Sequence, residues 1–322
     1  MSVQSYVLEM LEKARGRYFS GEEIACALGV SRAAVWKAVQ ALRADGYPIL
    51  AVRNRGYALG GEADVVTGQS ILRYLKTDLP QLEVHKSISS TNDAARQLAA
   101  SGAPEGTAVV ARCQTGGRGR KGRSFFSPPD SGVYISLVLR PQLTAEKTLY
   151  ITTAAAAAVA LAIEEAAGCP AAIKWVNDIY VRGKKVCGIL TEGAFDAETG
   201  SLDFAVLGIG INVSTPAGGF PPELQARAGA VFDAAPGDAS SRLAAAVIDR
   251  FMAYYKNLEQ KPFLEDYRRR MFLTGQKVTV VSGGSSYPAV AGTVDDEFAL
   301  TVTDANGQTH RLQSGEVTIA LE

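Results

Sequence analysis

Apolar positions Val7, Leu8 and Leu11 recur at helical spacing near the start of the chain. Ser20, with Glu23 three residues on, has the spacing of a capping box and opens a short predicted helix from Gly21 to Leu28. Gly29-Val30 makes a tight turn, Ser31 is placed to cap the next helix, Arg32 to Ala44, and Gly46 stops it. Ile49 to Val52 and Tyr57 to Leu59 read as short strands around Arg53-Asn54-Arg55-Gly56, a hairpin turn. From about residue 65 the pattern changes. Runs at 82–84, 107–111 and 133–139 read as strands, and the alanine-rich stretch Ala154 to Ala167 as a buried helix. Beyond residue 273, alternating runs at Val278 to Val281 and Ala299 to Val302 are separated by turns at Gly283-Gly284 and Asn306-Gly307, which fits a small β-barrel.

Three helices followed by a hairpin spell a winged helix-turn-helix. The expected fold class is therefore α+β: a winged helix-turn-helix over 1–62, a central mixed α/β domain over 65–270 and a small C-terminal β domain over 273–322. A chain of 322 residues, 47% hydrophobic, has enough apolar material for that many cores and too much for extended disorder. The longest apolar run, Ala154 to Ile163, is half of what a membrane span needs, about 20 residues. Glu9, Glu12 and Lys13 break any signal-peptide layout. Cys26, Cys113, Cys169 and Cys187 lie far apart, and His85 and His310 are the only histidines. That spacing argues against a disulfide framework or a side-chain metal cluster and makes the cytoplasm the expected compartment.

Charge changes the picture only when it is divided. The whole chain balances 33 Lys and Arg against 33 Asp and Glu. Up to residue 60 there are eight basic and five acidic residues, leaving 25 basic and 28 acidic in the remainder. A positive N-terminal unit suits nucleic acid. The residues at the start of its second motif helix, Ser31, Arg32, Ala33, Trp36 and Lys37, are the expected base-edge readers. Trp36 is carried among them although its indole is expected to pack partly into the core. Arg53 and Arg55 at the wing tip reach phosphate or the minor groove. The alternative for the same helices is a protein-interaction module with a solvated basic face.

The most unusual segment is Gln114-Thr115-Gly116-Gly117-Arg118-Gly119-Arg120-Lys121-Gly122-Arg123, four cations and four glycines in one loop. Glycines let backbone N–H groups approach a ligand, and arginines bind phosphate or carboxylate with two parallel donors. The spacing from Gly117 to Ser124 misses the P-loop, because Arg123 replaces its lysine and Phe125-Phe126-Ser127-Pro128-Pro129 follows where a helix must start. Gly208-Ile209-Gly210 lacks the rest of a dinucleotide fingerprint. Ser89-Ser90-Thr91-Asn92 opens a helix after a strand, where hydroxyls and N–H groups hold a small polar group. Lys174-Trp175-Val176-Asn177-Asp178 ends one strand, and Lys184 to Leu190 begins the next after a turn near Arg182-Gly183.

At these residues the chain resembles the biotin–protein ligases, and with its N-terminal motif their bifunctional ligase and biotin-operon repressor type. The family's G-R-G-R-x-G-R is present as Gly117 to Arg123, and its K-W-P-N-D as Lys174 to Asp178 with Val176 in place of proline. Its K-x-x-G-I-L is Lys185 to Leu190, its G-x-G-I-N is Gly208 to Asn212, and its S-T-N is Ser90-Thr91-Asn92, all in the family's order. The resemblance implies a central domain of the biotin/lipoate ligase fold and an SH3-like C-terminal barrel. It implies a two-step reaction: biotin and ATP, with Mg²⁺, give biotinyl-5′-AMP and pyrophosphate, and biotin then passes to one lysine of a biotin carboxyl carrier protein.

By the same resemblance Ser90, Thr91, Asn92 and Gln114 hold biotin, with Gly117, Arg118, Gly119, Arg120, Lys185 and Gly188 around its carboxylate. Arg120, Arg123, Phe125, Asn177 and Asn212 meet the nucleotide, Phe125 standing where the family often stacks a tryptophan. Lys185, Arg118, Arg120 and Asp178 are the implied catalytic set. Operator DNA and, with adenylate bound, a second copy of the chain are the further partners implied. A DNA-binding biotin sensor without ligase activity and a lipoate-type acyl ligase are the competing readings.

Overall fold

A computed structural model of the chain describes residues 2–44, 46–60, 65–195, 202–282, 285–313 and 315–319. The N-terminal unit is built from α1 (Val3–Lys13), α2 (Gly21–Leu28), α3 (Arg32–Ala44) and the hairpin β1 (Ile49–Val52) and β2 (Gly56–Leu59). Ser20 and Glu23 form both halves of the capping box, and Gly29 closes α2 in the left-handed region. Val7, Leu11, Ile24, Val35, Val39 and Leu42 are buried together as its core. Gly56 cannot be replaced: its φ is +95°, and a Cβ there would lie 2.0 Å from the Phe19 carbonyl oxygen.

The central unit runs through α4 (Gly68–Leu72), β3 (Leu82–His85), α5 (Thr91–Ala100), β4 (Ala108–Ala111), β5 (Gly132–Leu139), α6 (Leu149–Ala167), β6 (Ala172–Lys174), β7 (Asp178–Val181), β8 (Lys184–Phe195) and β9 (Leu202–Asn212). After them come α7 (Pro222–Gln225), α8 (Ala239–Tyr255) and α9 (Leu264–Arg270). Seven strands form one mixed sheet in the order β3-β4-β5-β9-β8-β7-β6, with only β3 and β4 parallel. Both faces are covered, so β5 is buried along its whole length rather than alternating. α5 packs on one face over Val109, Val138 and Val206. α6 and α8 pack on the other, where alanines 154–158 and Ala160, with no bulky side chains, let helix and sheet approach closely. α6 is longer than its apolar run predicts. It is long and apolar enough to span a membrane, yet it lies in the core.

β7 was not legible as a separate strand. Lys174 and Asp178 pair across a tight turn, so β6 and β7 form one hairpin, and the Arg182-Gly183 turn joins β7 to β8. The Trp175–Val176 peptide within the first turn is cis.

The C-terminal unit, β10 (Lys277–Ser282), β11 (Ser285–Val294), β12 (Leu300–Asp304), β13 (Thr309–Leu312) and β14 (Glu316–Ile319), is an antiparallel sheet in the order β13-β12-β11-β10-β14. The expected turn at Gly283-Gly284 lies outside the described residues, while that at Asn306-Gly307 is present, with Gly307 at φ +80°. The turn before β12 is held by Asp295, whose carboxylate accepts from the Glu297 and Ala299 amides. It inserts Phe298 among Tyr150, Phe263 and Tyr267 of the central unit. The Phe298 carbonyl also accepts a 2.9 Å hydrogen bond from the Trp175 indole.

The N-terminal unit rests on the central one through α1. Thr67 Oγ1 donates to Glu12 Oε1 at 3.1 Å, Gln69 donates to the Ser5 carbonyl, and Arg15 to the Gly237 carbonyl. Burial pushes the Glu12 carboxyl above its ordinary value of 4.5, against the pull of Thr67, Arg15 and Arg73. A raised value means that this carboxyl favours the folded state at pH below about 4.5, a contribution lost as pH rises through the raised value. Glu12→Gln keeps an acceptor for Thr67 and removes the buried charge. In thermal melts it should therefore be more stable than the wild type at pH 7, by a margin that shrinks toward pH 4.5. A margin independent of pH would show that Glu12 does not titrate in this contact.

Candidate functional site

A cavity of about 630 Å³ opens on the central sheet, between the 114–126 loop, β8 and β9, the 220–228 segment and the edge of the C-terminal sheet. It brings together Ser90, Thr91, Asn92, Gln114, Arg118, Gly119, Arg120, Arg123, Phe125, Asn177, Asp178, Lys185, Gly188 and Asn212 from sequence positions more than 120 residues apart. Gly117 sits behind the lining, where a Cβ would come within 2.6 Å of the Phe125 carbonyl oxygen.

The inner end is a polar network. Ser90 caps α5, and Gln114 Oε1 accepts from the amide (2.8 Å) and hydroxyl (3.1 Å) of Thr91. Ser136 lies within 2.8 Å of Thr91 Oγ1 and donates to Asn92 Oδ1 at 2.6 Å, and Asn92 Nδ2 donates to Glu192. Gln114 Nε2 donates to Ser127. Gly208 makes room for Asn92: a Cβ there would sit 2.2 Å from Asn92 Oδ1. Ser136 and Glu192 are absent from the sequence reading. Ser136, a short hydroxyl side chain inside the apolar run 133–139, was a usable signal, since a buried polar group needs a partner. Glu192 gave none, because its partners Asn92, Arg96 and Arg118 are 74 to 100 residues away.

Cations line the middle. Arg118 pairs with Asp93 at 2.6 Å and Glu192 at 3.0 Å, while its Nε is buried without a hydrogen-bond partner. Arg120 donates to Asn177 Oδ1 at 3.2 Å, and Asn177 is fixed in turn by bonds to Ile189. Lys185 Nζ lies 2.6 Å from Asp178 Oδ1, an ion pair off the axis of a directed hydrogen bond. Burial, with the Asp178 charge, pushes the Tyr180 phenol up to about 12, so it stays protonated at neutral pH. Burial also raises the Cys187 thiol strongly, which removes it as a nucleophile.

Toward the mouth, the Phe125 ring covers Gly188 and Gly210, within 3.0 Å and 2.7 Å of where their Cβ atoms would be. Asn212 donates to the Gly229 carbonyl. Phe220 and Leu224 form an apolar wall, and Val317, Thr318 and Ile319 bring the C-terminal sheet to the rim. Nothing in the sequence pattern of these segments marks them as a ligand wall.

The second surface is on the N-terminal unit. Ser31 accepts from the Ala34 amide as cap of α3, and Ser31, Arg32, Ala33, Trp36 and Lys37 all face outward. Trp36, expected to be partly core, is 55% exposed, because Val35, Val39 and Leu42 occupy the inward face. Arg53 and Arg55 are exposed on the wing, with the Arg55 guanidinium 4.3 Å over the Tyr18 ring.

Residues 84–212 match the Biotin/lipoate A/B protein ligase family, and residues 3–58 match an HTH domain. The chain is 44% identical over 221 residues to a bifunctional ligase/repressor BirA of Bacillus subtilis, covering 68% of this chain and 67% of that one. It is 31% identical to a biotin–[acetyl-CoA-carboxylase] ligase of Mycobacterium tuberculosis, over 74% of this chain and 88% of the relative. A biotin protein ligase of Aquifex aeolicus in complex with biotin and ATP superposes with a TM-score of 0.63 at 26% identity, covering 76% of this chain and all of that one.

Proposed function

Because this chain belongs to the biotin protein ligase family, we propose that it joins biotin to ATP, transfers biotin to one lysine of a biotin carboxyl carrier protein, and represses biotin genes. The observation that carries this reading is the convergence of Arg118, Arg120 and Lys185 on a cavity whose inner end is an amide and hydroxyl network. A neutral, hydrogen-bonding ring fits that inner end, and two anions meet at the cations.

In the first step a biotin carboxylate oxygen attacks the α-phosphorus of ATP, and pyrophosphate leaves. Two anions repel, so the step needs fixed positive charge where charge builds up. Lys185 supplies it at the carboxylate and α-phosphate. Arg118 offers its unpartnered Nε and Arg120 its fork, closing over the mixed anhydride. In the second step the acceptor amine attacks the biotinyl carbonyl and AMP leaves. Asp178 steers that amine and takes its proton. Mg²⁺ enters as the companion of ATP. Among the described residues no three His, Cys, Asp or Glu side chains cluster to hold a metal. Asp178, Asn177 or Asn212 would be the oxygen donors available to such an ion, which would supply charge neutralisation on the phosphates.

Residues 1–62, 65–270 and 273–322 serve as DNA-reading, ligase and C-terminal units. The adenylate is the corepressor, and a dimer of the loaded protein presents two α3 helices to an operator in the cytoplasm. Biotin-dependent exchange of labelled pyrophosphate into ATP tests the ligase reading. Exchange with biotin and none with lipoate is expected; exchange with lipoate alone would move the protein to the other ligase class. For the DNA surface, Arg55→Ala should weaken operator binding and flatten the slope of log K against log salt by about 0.9, the share of one phosphate contact. An unchanged slope would take Arg55 off the phosphate backbone.

A further inference from the structure

The far end of α3 meets the root of the ligand loop. Lys86 Nζ donates to the Ala44 carbonyl at 3.0 Å, in the last turn of α3. A Cβ on Gly46, just beyond the helix, would lie 3.7 Å from Arg112 Nη2. Lys86 and Arg112 are themselves neighbours, since they follow paired strands β3 and β4 and the Arg112 amide donates to the His85 carbonyl. Two residues on, Ile88 and Gln114 bridge as a parallel pair, and Ser90, Thr91 and Gln114 follow in the cavity wall.

Arg112 also closes the loop. Its side chain is 9% exposed, and its Nε donates at 2.9 Å to Asp130 Oδ1, with a second bond from Nη2. Asp130 stands where the segment carrying Gln114, the arginines and Phe125 returns to β5. One buried guanidinium thus holds both ends of the ligand loop and lies beside Gly46, just beyond the end of the DNA-reading helix.

We propose that Arg112 is a positioning residue that passes the state of the ligand loop to α3, with Lys86 as its second point of attachment. The proposal rests on the ligase and repressor reading above. When the loop closes on an anionic ligand, the 112–130 base moves as a unit. Gly46 lies beside Arg112, and Ala44 is bonded to Lys86, the neighbour of Arg112 just after β3, so α3 is reseated relative to the central sheet. Neither Arg112 nor Lys86 lines the cavity, so both act by positioning and not by contact with the reacting groups.

The test compares wild type, Arg112→Ala and Lys86→Ala in full-length protein. Operator affinity is measured with and without biotin plus ATP, pyrophosphate exchange is measured in parallel, and hydrogen exchange is followed at Gly46 and Tyr47, whose amides bond back to Arg43 and Leu42 of α3. In the wild type, ligand should change exchange at both the 114–124 loop and these two amides. In Arg112→Ala the loop response should persist, the Gly46 and Tyr47 response should vanish, and the ligand-induced gain in operator affinity should fall at least about fivefold, the lower end of ordinary coupling. Retention of both responses and of the full gain in Arg112→Ala overturns the proposal, as does a wild-type response confined to the loop. If Arg112→Ala does not fold, Lys86→Ala decides by the same criteria. Absence of pyrophosphate exchange in the wild type would instead strike the underlying ligase reading.

Discussion

Lys185→Ala should lower biotin-dependent pyrophosphate exchange about 10²- to 10³-fold, the usual loss when one preorganised donor to developing charge is removed. The lysine sits in the cavity between Asp178 and the glycine run of β8 and β9, and Gly188 leaves open the space beside it: a Cβ there would lie 3.4 Å from Lys185 Nζ. In the proposed mechanism its charge serves the transition state more than the bound substrates, so the loss should fall mainly on kcat rather than on either KM. Arg118 and Arg120 remain, which is why activity should fall rather than vanish. Binding of preformed biotinyl-adenylate by the variant separates the chemical role from a collapsed site. Exchange at the wild-type rate would remove Lys185 from the mechanism.

Gly208→Ala should act as strongly by a different route. The new methyl would come within 2.2 Å of Asn92 Oδ1, and Asn92 cannot simply turn away, because Ser136 and Glu192 hold its two ends. The shift must therefore pass into the network that also fixes Thr91 and Gln114. A displacement of about 1 Å at a positioning group commonly costs about 10²-fold in rate. The expected signature is a loss of about that size in kcat/KM for biotin with a nearly unchanged KM for ATP. A thermal melt close to wild type assigns the loss to the site rather than to folding. Equal losses for biotin and ATP would place Gly208 outside the biotin end of the cavity.

What the sequence made legible were features written in neighbouring residues. The Ser20–Glu23 capping box, the α3 boundaries and the wing turn all rest on contacts within a few positions, and they stand as read. The arginine–glycine loop was legible for the same reason, as charge and flexibility concentrated in one stretch. The features that escaped depend on distant partners. β7 is four residues between two tight turns, and only pairing with β6 and β8 marks it as a strand. Glu192 becomes part of the site because α5 and the loop bring Asn92, Arg96 and Arg118 to it. The C-terminal sheet read as a packing module. Its Phe298 turn grips Trp175 across 123 residues, and its edge reaches the cavity rim. Trp36 shows the reverse error: residue type suggested burial, whereas helical phase sets it among the outward cations.

The central claim is that one cavity both activates biotin and hands it on. Its most direct measurement incubates the protein with ATP, Mg²⁺ and labelled biotin, or with lipoate, together with a biotin carboxyl carrier domain, and follows pyrophosphate release and label on the carrier. Release of one pyrophosphate for each biotin fixed to a single carrier lysine, with no lipoate transfer, is the expected result. Biotin binding without label on the carrier, or preferential transfer of lipoate, would contradict it.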